Sequence, residues 1–275
     1  MRDNIYVFLD FEFNCPDKKG SGRREIISMA AIFRYADGSP LTSFYSIVKP
    51  SRAVKISART TRLTGITQQQ INQSRSFKSV SENFLNLVDC FSPSKFFVWG
   101  NADKIEVQKS SRYSHADERM IEISKKFHDL QPDVMNELGL SNPYNLERIA
   151  DIYGIDFIHT FSAINDAECL AEIYFSYKNG LYDANKLDLY KQFYKYRNIL
   201  GQYKLTKNNI KTSESKITVL KRSLESLEKD SDDYIKTLKK IEETAEYISN
   251  QKKLAEKLFP ASQEAEIFFI ENNFN

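Results

Sequence analysis

The stretch "FLDFEFN", residues 8–14, places two carboxylates, Asp10 and Glu12, two positions apart among aromatic and aliphatic neighbours. In a strand, residues i and i+2 point to the same face, so the two carboxylates project together while Leu9, Phe11 and Phe13 pack on the opposite face. Such acids repel each other, and burial forces one to take up a proton unless a cation lies between them. An all-oxygen site of this kind suits Mg²⁺ or Mn²⁺. The alternative is a solvated or salt-bridged pair at a strand end.

Strand-forming sequence surrounds this pair. Residues Ile5 to Phe13 are β-branched and aromatic, and "EIISMAAIFRYADGS" (25–39) and "TSFYSIVKP" (42–50) predict two more strands joined at Asp37-Gly38. The polar insert "NCPDKKGSGRRE" (14–25) is rich in turn formers and predicts a surface loop near the end of the first strand.

Helical patterns follow the three strands. Residues 60–91 carry a one-sided apolar stripe, "KFFVWGN" (95–101) predicts a short buried strand, and a helical pattern resumes to about residue 126. "YNLERIADIYGI" (144–155) and "INDAECLAEIYFSY" (164–177) add two amphipathic helices. Strands first, then strand and helices in alternation, predict an α/β layered domain over residues 1–180.

The remainder, residues 181–275, is predicted to be helical. No glycine or proline occurs between Gly201 and Pro260, which favours one long helix. Apolar residues recur there at heptad spacing, so we expect a coiled coil at about 205–258, followed by the short apolar tail "EIFFIENNFN" (266–275). The coiled coil needs a partner. Self-association, packing back on "LDLYKQFYKYRNIL" (187–200), and a dedicated partner or nucleic-acid clamp are the alternatives.

Bulk composition excludes several classes. The formal net charge is +2 with a pI near 8.2, so charge neither supports nor excludes a polyanionic partner. Cys15, Cys90 and Cys169 form no CxxC pair and occur with only three histidines, which argues against structural zinc and favours free thiols in a reducing compartment. No apolar run approaches the roughly 20 residues that cross a bilayer, and no secretion signal is recognisable. We expect a cytoplasmic protein without membrane contact.

Three further motifs follow "DFEF" in order: "RLTGIT" (62–67), "VWGNADKIEV" (98–107) and "FSAINDAECLAEIY" (161–174). With them, the chain from about Ile5 to Lys178 resembles the DEDD-type 3′–5′ exonucleases, specifically the histidine-bearing DEDDh branch. The resemblance implies a ribonuclease H-like exonuclease domain, with a mixed central sheet flanked by helices, over residues 1–180. The helical and coiled-coil extension, residues 181–275, lies beyond it.

The resemblance also implies a catalytic site. Asp10, Glu12, Asp103 and Asp166 are the expected acidic ligands of two Mg²⁺ or Mn²⁺ ions, with Asp10 bridging both. Hydrolysis would then release nucleoside 5′-monophosphates from the 3′ end of single-stranded RNA or DNA. Taken singly, Asp103 and Asp166 could instead compensate the dipole at a helix N-terminus.

Five positions are candidates for substrate binding. Gly65 permits close backbone approach, Leu63 could wedge against a base, and Thr64 lies between them; the alternative is a simple turn leading into a helix. Phe13 either stacks on a base or packs in the core. Phe161 is the fifth residue that we expect to bind the substrate.

The family's pattern breaks at the general base. Histidine-bearing members place an imidazole five residues before the last aspartate, where this sequence has Phe161, and the tyrosine-bearing branch uses the position of Ser162. His159 could reach the attacking water through a loop shift, or it could be an ordinary polar histidine. We therefore expect slower chemistry or a shifted pH profile.

The sequence is compatible with three functions. They are a metal-dependent exonuclease, a non-catalytic nucleic-acid binding module, and a coiled-coil assembly scaffold carrying a degenerate nuclease domain. A homo-oligomer formed through the coiled coil is expected. Basic residues could line the path of a nucleic-acid strand or simply aid solubility; they are Lys18, Lys19, Arg23, Arg24, Arg52, Lys55, Arg59 and Arg62.

Overall fold

The computed structural model describes residues 4–14, 24–52, 55–141, 143–157, 162–229, 231–272 and 274. The chain divides into two compact units, Met1–Leu187 and Asp188–Asn275.

A six-stranded mixed sheet forms the centre of the first unit. Its order is β4-β3-β2-β1-β5-β6, with β1 antiparallel to β2, β2 antiparallel to β3, and parallel pairing elsewhere. The strands are β1 (Ile5–Asn14), β2 (Glu25–Tyr35), β3 (Pro40–Lys49), β4 (Arg75–Ser76), β5 (Lys95–Val98) and β6 (Phe127–Asp129). The predicted mixed central sheet is confirmed, and β1 lies in its interior.

The turn between β2 and β3 forms at the predicted residues. Gly38 has a φ of +90°, a left-handed conformation that glycine adopts without steric cost. The Asp37 side chain accepts a hydrogen bond from the Ser39 backbone N–H (2.9 Å), and Tyr35 N–H donates to the Ser39 carbonyl (3.0 Å). This closed turn fixes the register of the two strands.

Helices cover both faces of the sheet. Side-chain oxygens cap five of them, each accepting a backbone N–H of the first turn; the capping residues are Ser57, Thr67, Ser76, Asp117 and Asn145. The helices are α1 (Ala58–Thr64), α2 (Gln68–Gln73), α3 (Phe77–Phe91), α4 (Ala102–Ser114), α5 (Glu118–Lys125), α6 (Gln131–Glu137), α7 (Leu146–Ile152) and α8 (Ala163–Lys178).

The alternation of β1 decides which helix meets which face. Leu9 and Phe11 are buried in the larger core cluster, which also contains residues of α3, α4 and α5. On the opposite face, the Phe8 ring lies 5.5 Å from Tyr174 and 5.9 Å from Phe175, both on α8. Helix α8 therefore packs on the face that carries Asp10 and Glu12.

An ion-pair cluster formed by one buried arginine and two half-exposed glutamates joins α8 to the sheet. Arg34, on β2, is almost fully buried and pairs with Glu168 and Glu172, one turn apart on α8. The Arg34–Glu172 contact is 2.7 Å. Since Glu168 lies two residues after Asp166, this contact fixes the first turns of α8 and with them the position of Asp166.

The second unit is an antiparallel pair of long helices, α9 (Ala184–Glu225) and α10 (Asp232–Glu271). Aromatic rings join their far ends: the centroids of Phe193 and Phe269 are 5.1 Å apart. Nearer the connection, Lys252 Nζ lies 2.9 Å from Glu214 Oε1. The aromatic stretch 187–200 packs on the apolar tail, as the Phe193–Phe269 contact shows, whereas the heptad segment 205–258 folds back on itself. Self-association and a dedicated partner stay predictions.

The prediction of one uninterrupted helix between Gly201 and Pro260 is wrong. The chain leaves the helix after Glu225 and starts again at Ser231, whose side chain caps α10 by accepting from Tyr234 N–H (3.2 Å). Folding back lets the two apolar stripes bury each other, which a straight helix cannot achieve within one chain. Pro260 lies inside α10 and Gly201 inside α9.

The sequence patterns did not predict strand β6, because three residues are too few to show the alternation of a strand. Within the described parts of the chain, every helix is too short or too polar to cross a bilayer.

Candidate metal centre

Three carboxylates converge where β1 meets the start of α8. Asp10 and Glu12 occupy alternate positions of β1, and Asp166 lies in the first turn of α8. One oxygen from each lies within 4.8 Å of the other two, and all three side chains are partly buried. Strand alternation and the packing of α8 together produce this arrangement.

Asp103 approaches the same place from the end of β5. It is buried in the first turn of α4, just after Gly100, whose φ of +88° makes the chain turn sharply. Asp129 shapes this turn by accepting from Gly100 N–H (2.8 Å). Asp103 does not belong to the group of three carboxylates whose oxygens lie within 4.8 Å of one another. After burial, its charge is the largest cause of the raised pKa of Asp10.

The electrostatics of the site favour a bound cation. Burial, then the charges of Asp103, Asp166 and Glu12, raise the pKa of Asp10 well above its ordinary value. Burial and the charge of Asp166 raise the pKa of Glu12 to about 7. Burial raises the pKa of Asp103 to about 8, although the charge of Arg24 opposes this. Without a cation, the cluster therefore retains protons near neutral pH.

The donor set fits a hard divalent ion. The clustered groups are all carboxylates, the ligand type preferred by Mg²⁺ and Mn²⁺ over softer metals. A cation bound here would displace the retained protons and remove the repulsion among the acids.

Asn14, which the sequence patterns did not single out, ties β1 to helix α1. Its side-chain oxygen accepts from Thr60 Oγ1 (3.1 Å) and from Ser57 N–H (3.3 Å). Asn14 follows Glu12 by two residues, so these bonds place α1 beside the acidic pair. The contacts join residues more than 40 positions apart, and no local pattern could have revealed them.

The segment Leu63–Gly65 ends helix α1. Leu63 is exposed, while Thr64 is buried and donates from Oγ1 to the Thr60 carbonyl (2.9 Å). Gly65 has a φ of +68°, and the space that a Cβ would enter is open within 4 Å. The segment is therefore both a helix end and an open backbone surface.

Phe13 packs against the larger core cluster, and Arg24 covers its ring at 4.1 Å from guanidinium carbon to centroid. The positive charge of Arg24 also lowers the pKa of Glu12 and of Asp103. The structure thus shows packing for Phe13, while base stacking stays a prediction. It places a cation next to two of the acids.

Several predicted residues lie outside the described part of the chain. They are His159 and Phe161, and with them Lys18, Lys19 and Arg23. The roles assigned to them from the sequence stay predictions.

A mixed sheet with carboxylates converging at the end of an interior strand is the architecture of the ribonuclease H-like nucleases. The sequence model of the exonuclease family, Exonuclease (RNase_T), matches residues 7–174, more than half of the chain. The chain belongs to this exonuclease family, as its motifs predicted, and it is a nuclease of the hydrolytic class.

Individual relatives agree with this membership. The probable 3′–5′ exonuclease KapD of Bacillus subtilis (strain 168) is 28% identical over 157 residues, covering 56% of this chain and 74% of KapD. The PolC-type DNA polymerase III of Thermotoga petrophila is 34% identical over 84 residues, which cover 30% of this chain and 6% of that protein.

Solved structures show the same fold. The nuclease domain of 3′hExo, a DEDDh family member bound to rAMP, superposes with a TM-score of 0.60 at 17% identity. The superposition covers 65% of this chain and 94% of that domain. The family match ends at residue 174, so the helical second unit lies outside it.

Proposed function

We propose that this protein is a 3′–5′ exonuclease that hydrolyses phosphodiester bonds at the 3′ end of single-stranded RNA or DNA, with two Mg²⁺ or Mn²⁺ ions. The observation that carries the proposal is the convergence of Asp10, Glu12 and Asp166, with Asp103 close enough to shift the pKa of Asp10. KapD is described as a probable 3′–5′ exonuclease, and the 3′hExo domain was solved with rAMP. Both support a substrate with a 3′ end.

Asp10, Glu12 and Asp166 would together hold one ion, and Asp103, whose charge acts on Asp10, would help to hold the second. When bound, divalent ions supply Lewis-acid activation of a phosphoryl oxygen and lower the pKa of a coordinated water. The four acidic side chains would hold those ions, and the residues around them would orient the substrate strand.

Residues around the cluster are suited to hold the terminal nucleotide. The open backbone at Gly65 and the exposed Leu63 side chain lie on the element that Asn14 ties to β1. Arg24 brings positive charge beside Glu12 and Asp103, where a phosphate would arrive. We infer that Leu63, Thr64 and Gly65 contact the terminal nucleotide.

The decisive experiment follows mononucleotide release from 3′-labelled RNA and DNA oligonucleotides in Mg²⁺ or Mn²⁺. Wild-type protein should release nucleoside 5′-monophosphates, EDTA should stop the release, and Asp10→Asn should reduce it at least about 10³-fold. The matched control is Asp188→Asn, because Asp188 is exposed on α9 in the second unit. Equal rates for wild type and Asp10→Asn would contradict the proposal, and so would binding without any cleavage.

We propose His159 as the catalytic base; the alternative from the sequence is an ordinary polar histidine without a role in the chemistry. A general base typically contributes about 10²- to 10⁴-fold to the rate. His159→Ala should therefore slow hydrolysis and remove the acid limb of the pH profile. An unchanged pH profile would contradict this role and would show that the attacking water reacts without the His159 imidazole.

The second unit supports self-association, which we also propose. Its helices expose large apolar side chains, among them Leu205, Val219, Ile235 and Ile270. Light scattering on wild type and on Leu205→Gln/Val219→Gln should show an oligomer that the double substitution weakens. A monomer at all concentrations would contradict this.

The free thiols of Cys90 and Cys169 support a cytoplasmic location.

A further inference from the structure

A groove with both apolar and polar lining residues runs along the exposed edge of β3 in the first unit. It has a volume of about 530 Å³. Strand β4 pairs with β3 only at Val48 and Lys49, so the preceding part of β3 has no neighbouring strand on that side within the described residues. The groove is lined mainly by Tyr45, Ile47, Gln70, Gln73, Arg75 and Asn83.

The groove lies close to the acidic cluster. Tyr45 is opposite Ala30, and Ala30 is opposite Asp10, so one line across three strands joins Tyr45 to the site. Two strand spacings of about 4.8 Å put Tyr45 about 10 Å from Asp10. Burial and then the charge of Glu12 raise the pKa of Tyr45, which agrees with this proximity.

Helix α2 forms one wall on the same face. Ile47, two residues after Tyr45, packs with Ile71 of α2 in a small core cluster. The contact leaves Gln70 and Gln73 of α2 beside the opening. The groove is thus bounded by the sheet and α2, and its Tyr45 end faces the acids.

The lining chemistry suits a nucleotide. Tyr45 is 44% exposed and offers a ring for base stacking. Arg75 is exposed, and no carboxylate pairs with it in the described part of the chain. The exposed amides of Gln73 and Asn83 make no side-chain hydrogen bond among the described residues, so they can donate to and accept from a base edge.

The spacing matches the substrate. Successive phosphates of a helically stacked strand are about 3.4 Å apart along the axis, and further apart when extended. A strand whose scissile phosphate lies at Asp10 would therefore reach Tyr45 with its second or third nucleotide.

We propose that this groove binds an upstream nucleotide of the single-stranded substrate, with Tyr45 stacking on the base and Arg75 pairing with a phosphate. The proposal rests on the exonuclease function proposed above. The competing occupant is an extended peptide that pairs with the edge of β3. Its backbone would offer Arg75 no phosphate, and it would offer Gln73 and Asn83 no base edge.

The test compares two substrates that differ only in reach. An octanucleotide spans both the metal centre and the groove, whereas the p-nitrophenyl ester of thymidine 5′-monophosphate needs the metal centre alone. Tyr45→Ala and Arg75→Gln should each lower kcat/KM on the octanucleotide about 10-fold, the effect typical of one stacked base or one phosphate contact. On the ester, both variants should stay within about twofold of wild type.

Matched controls separate the groove from general surface effects. Tyr182 is 45% exposed, so Tyr182→Ala removes an equally accessible ring elsewhere in the first unit. Lys78→Gln removes an exposed cation on α3 that does not line the groove. Neither control should change the octanucleotide rate. Arg75→Gln should also lower the slope of log affinity against log salt by about 0.7, the value for one phosphate of a single strand.

Three outcomes would overturn the groove proposal: unchanged octanucleotide rates in both variants, equal losses on both substrates, or losses in the controls as large as in the variants. If wild type hydrolyses neither substrate, the proposed function fails, and fluorescence anisotropy with a labelled octanucleotide decides the groove. Weaker binding by Tyr45→Ala and Arg75→Gln would then support the groove, and unchanged binding would refute it. Thermal unfolding establishes that each variant is folded.

Discussion

Replacing Glu12 with glutamine should stabilise the metal-free protein. Burial and the charge of Asp166 raise the pKa of Glu12 from its ordinary 4.5 to about 7. At about 1.36 kcal/mol per pH unit, that difference corresponds to about 3 kcal/mol when the carboxylate is fully ionised. Glu12 is partly exposed, so solvent screening reduces the cost to roughly 2 kcal/mol. Glutamine keeps the shape of the side chain and removes this cost.

The effect should depend on pH with a definite sign. At pH 4 the Glu12 carboxyl is mostly protonated in both the folded and the unfolded chain, so the substitution changes the free energy of unfolding little. As pH rises, the unfolded chain loses its proton first, and the folded wild type becomes less stable until about pH 7. The gain from Glu12→Gln should therefore grow between pH 4 and 7 and stay constant above.

Thermal unfolding in EDTA measures this directly. For a protein of this size, roughly 2 kcal/mol corresponds to a rise in Tm of about 4–8 °C. Glu82→Gln is the matched control, because Glu82 is exposed on α3, and its Tm should not change. Saturating Mg²⁺ should stabilise wild type and shrink or reverse the difference, since binding to the folded state adds to stability. A Tm for Glu12→Gln equal to or below wild type at pH 8 in EDTA would refute the reasoning.

Further predictions concern the metal, the anchor of α8 and the helix hairpin. Mg²⁺ binding should tighten as pH rises from 6 to 9, because Glu12 and Asp103 lose protons with pKa values of about 7 and 8; calorimetry in two buffers should show proton release at pH 6 and little at pH 9. Arg34→Met should cost about 1–2 kcal/mol, since its partners are half exposed and can be solvated, and should weaken Mg²⁺ binding by displacing Asp166; unchanged Mg²⁺ affinity would contradict the anchoring role. Ser231→Ala should lower the free energy of unfolding of the second unit by about 1 kcal/mol in urea denaturation through loss of the α10 cap, whereas Ser215→Ala, inside α9, should not.

Local pattern was sufficient for much of the first unit. The alternation of β1, the Asp37-Gly38 turn and the order of motifs all depend on neighbours within a few residues, and the corresponding strands formed where predicted. Asp103 lies in the first turn of α4, just after β5 and Gly100, and Asp166 lies in the first turn of α8. Their proposed role as metal ligands stays a prediction.

What sequence could not supply depends on contacts distant along the chain. The break after Glu225 contains neither glycine nor proline, and it occurs because the aromatic ends of α9 and α10 pack on each other. The pairing of Arg34 with Glu168 joins positions 134 residues apart. The bonds of Asn14 to α1 are likewise visible only once the sheet and helices are assembled.

The position of β1 between β2 and β5 has a consequence for how such a protein can change over generations. Amides of an interior strand exchange with solvent only when the whole unit opens, so Asp10 and Glu12 are mounted on the most protected part of the backbone. Leu63 and Tyr45 lie on a helix end and near a sheet edge, where local opening is easier. Substitutions at Leu63 or Tyr45 should therefore disturb the backbone that carries Asp10 and Glu12 less than substitutions on β1 itself.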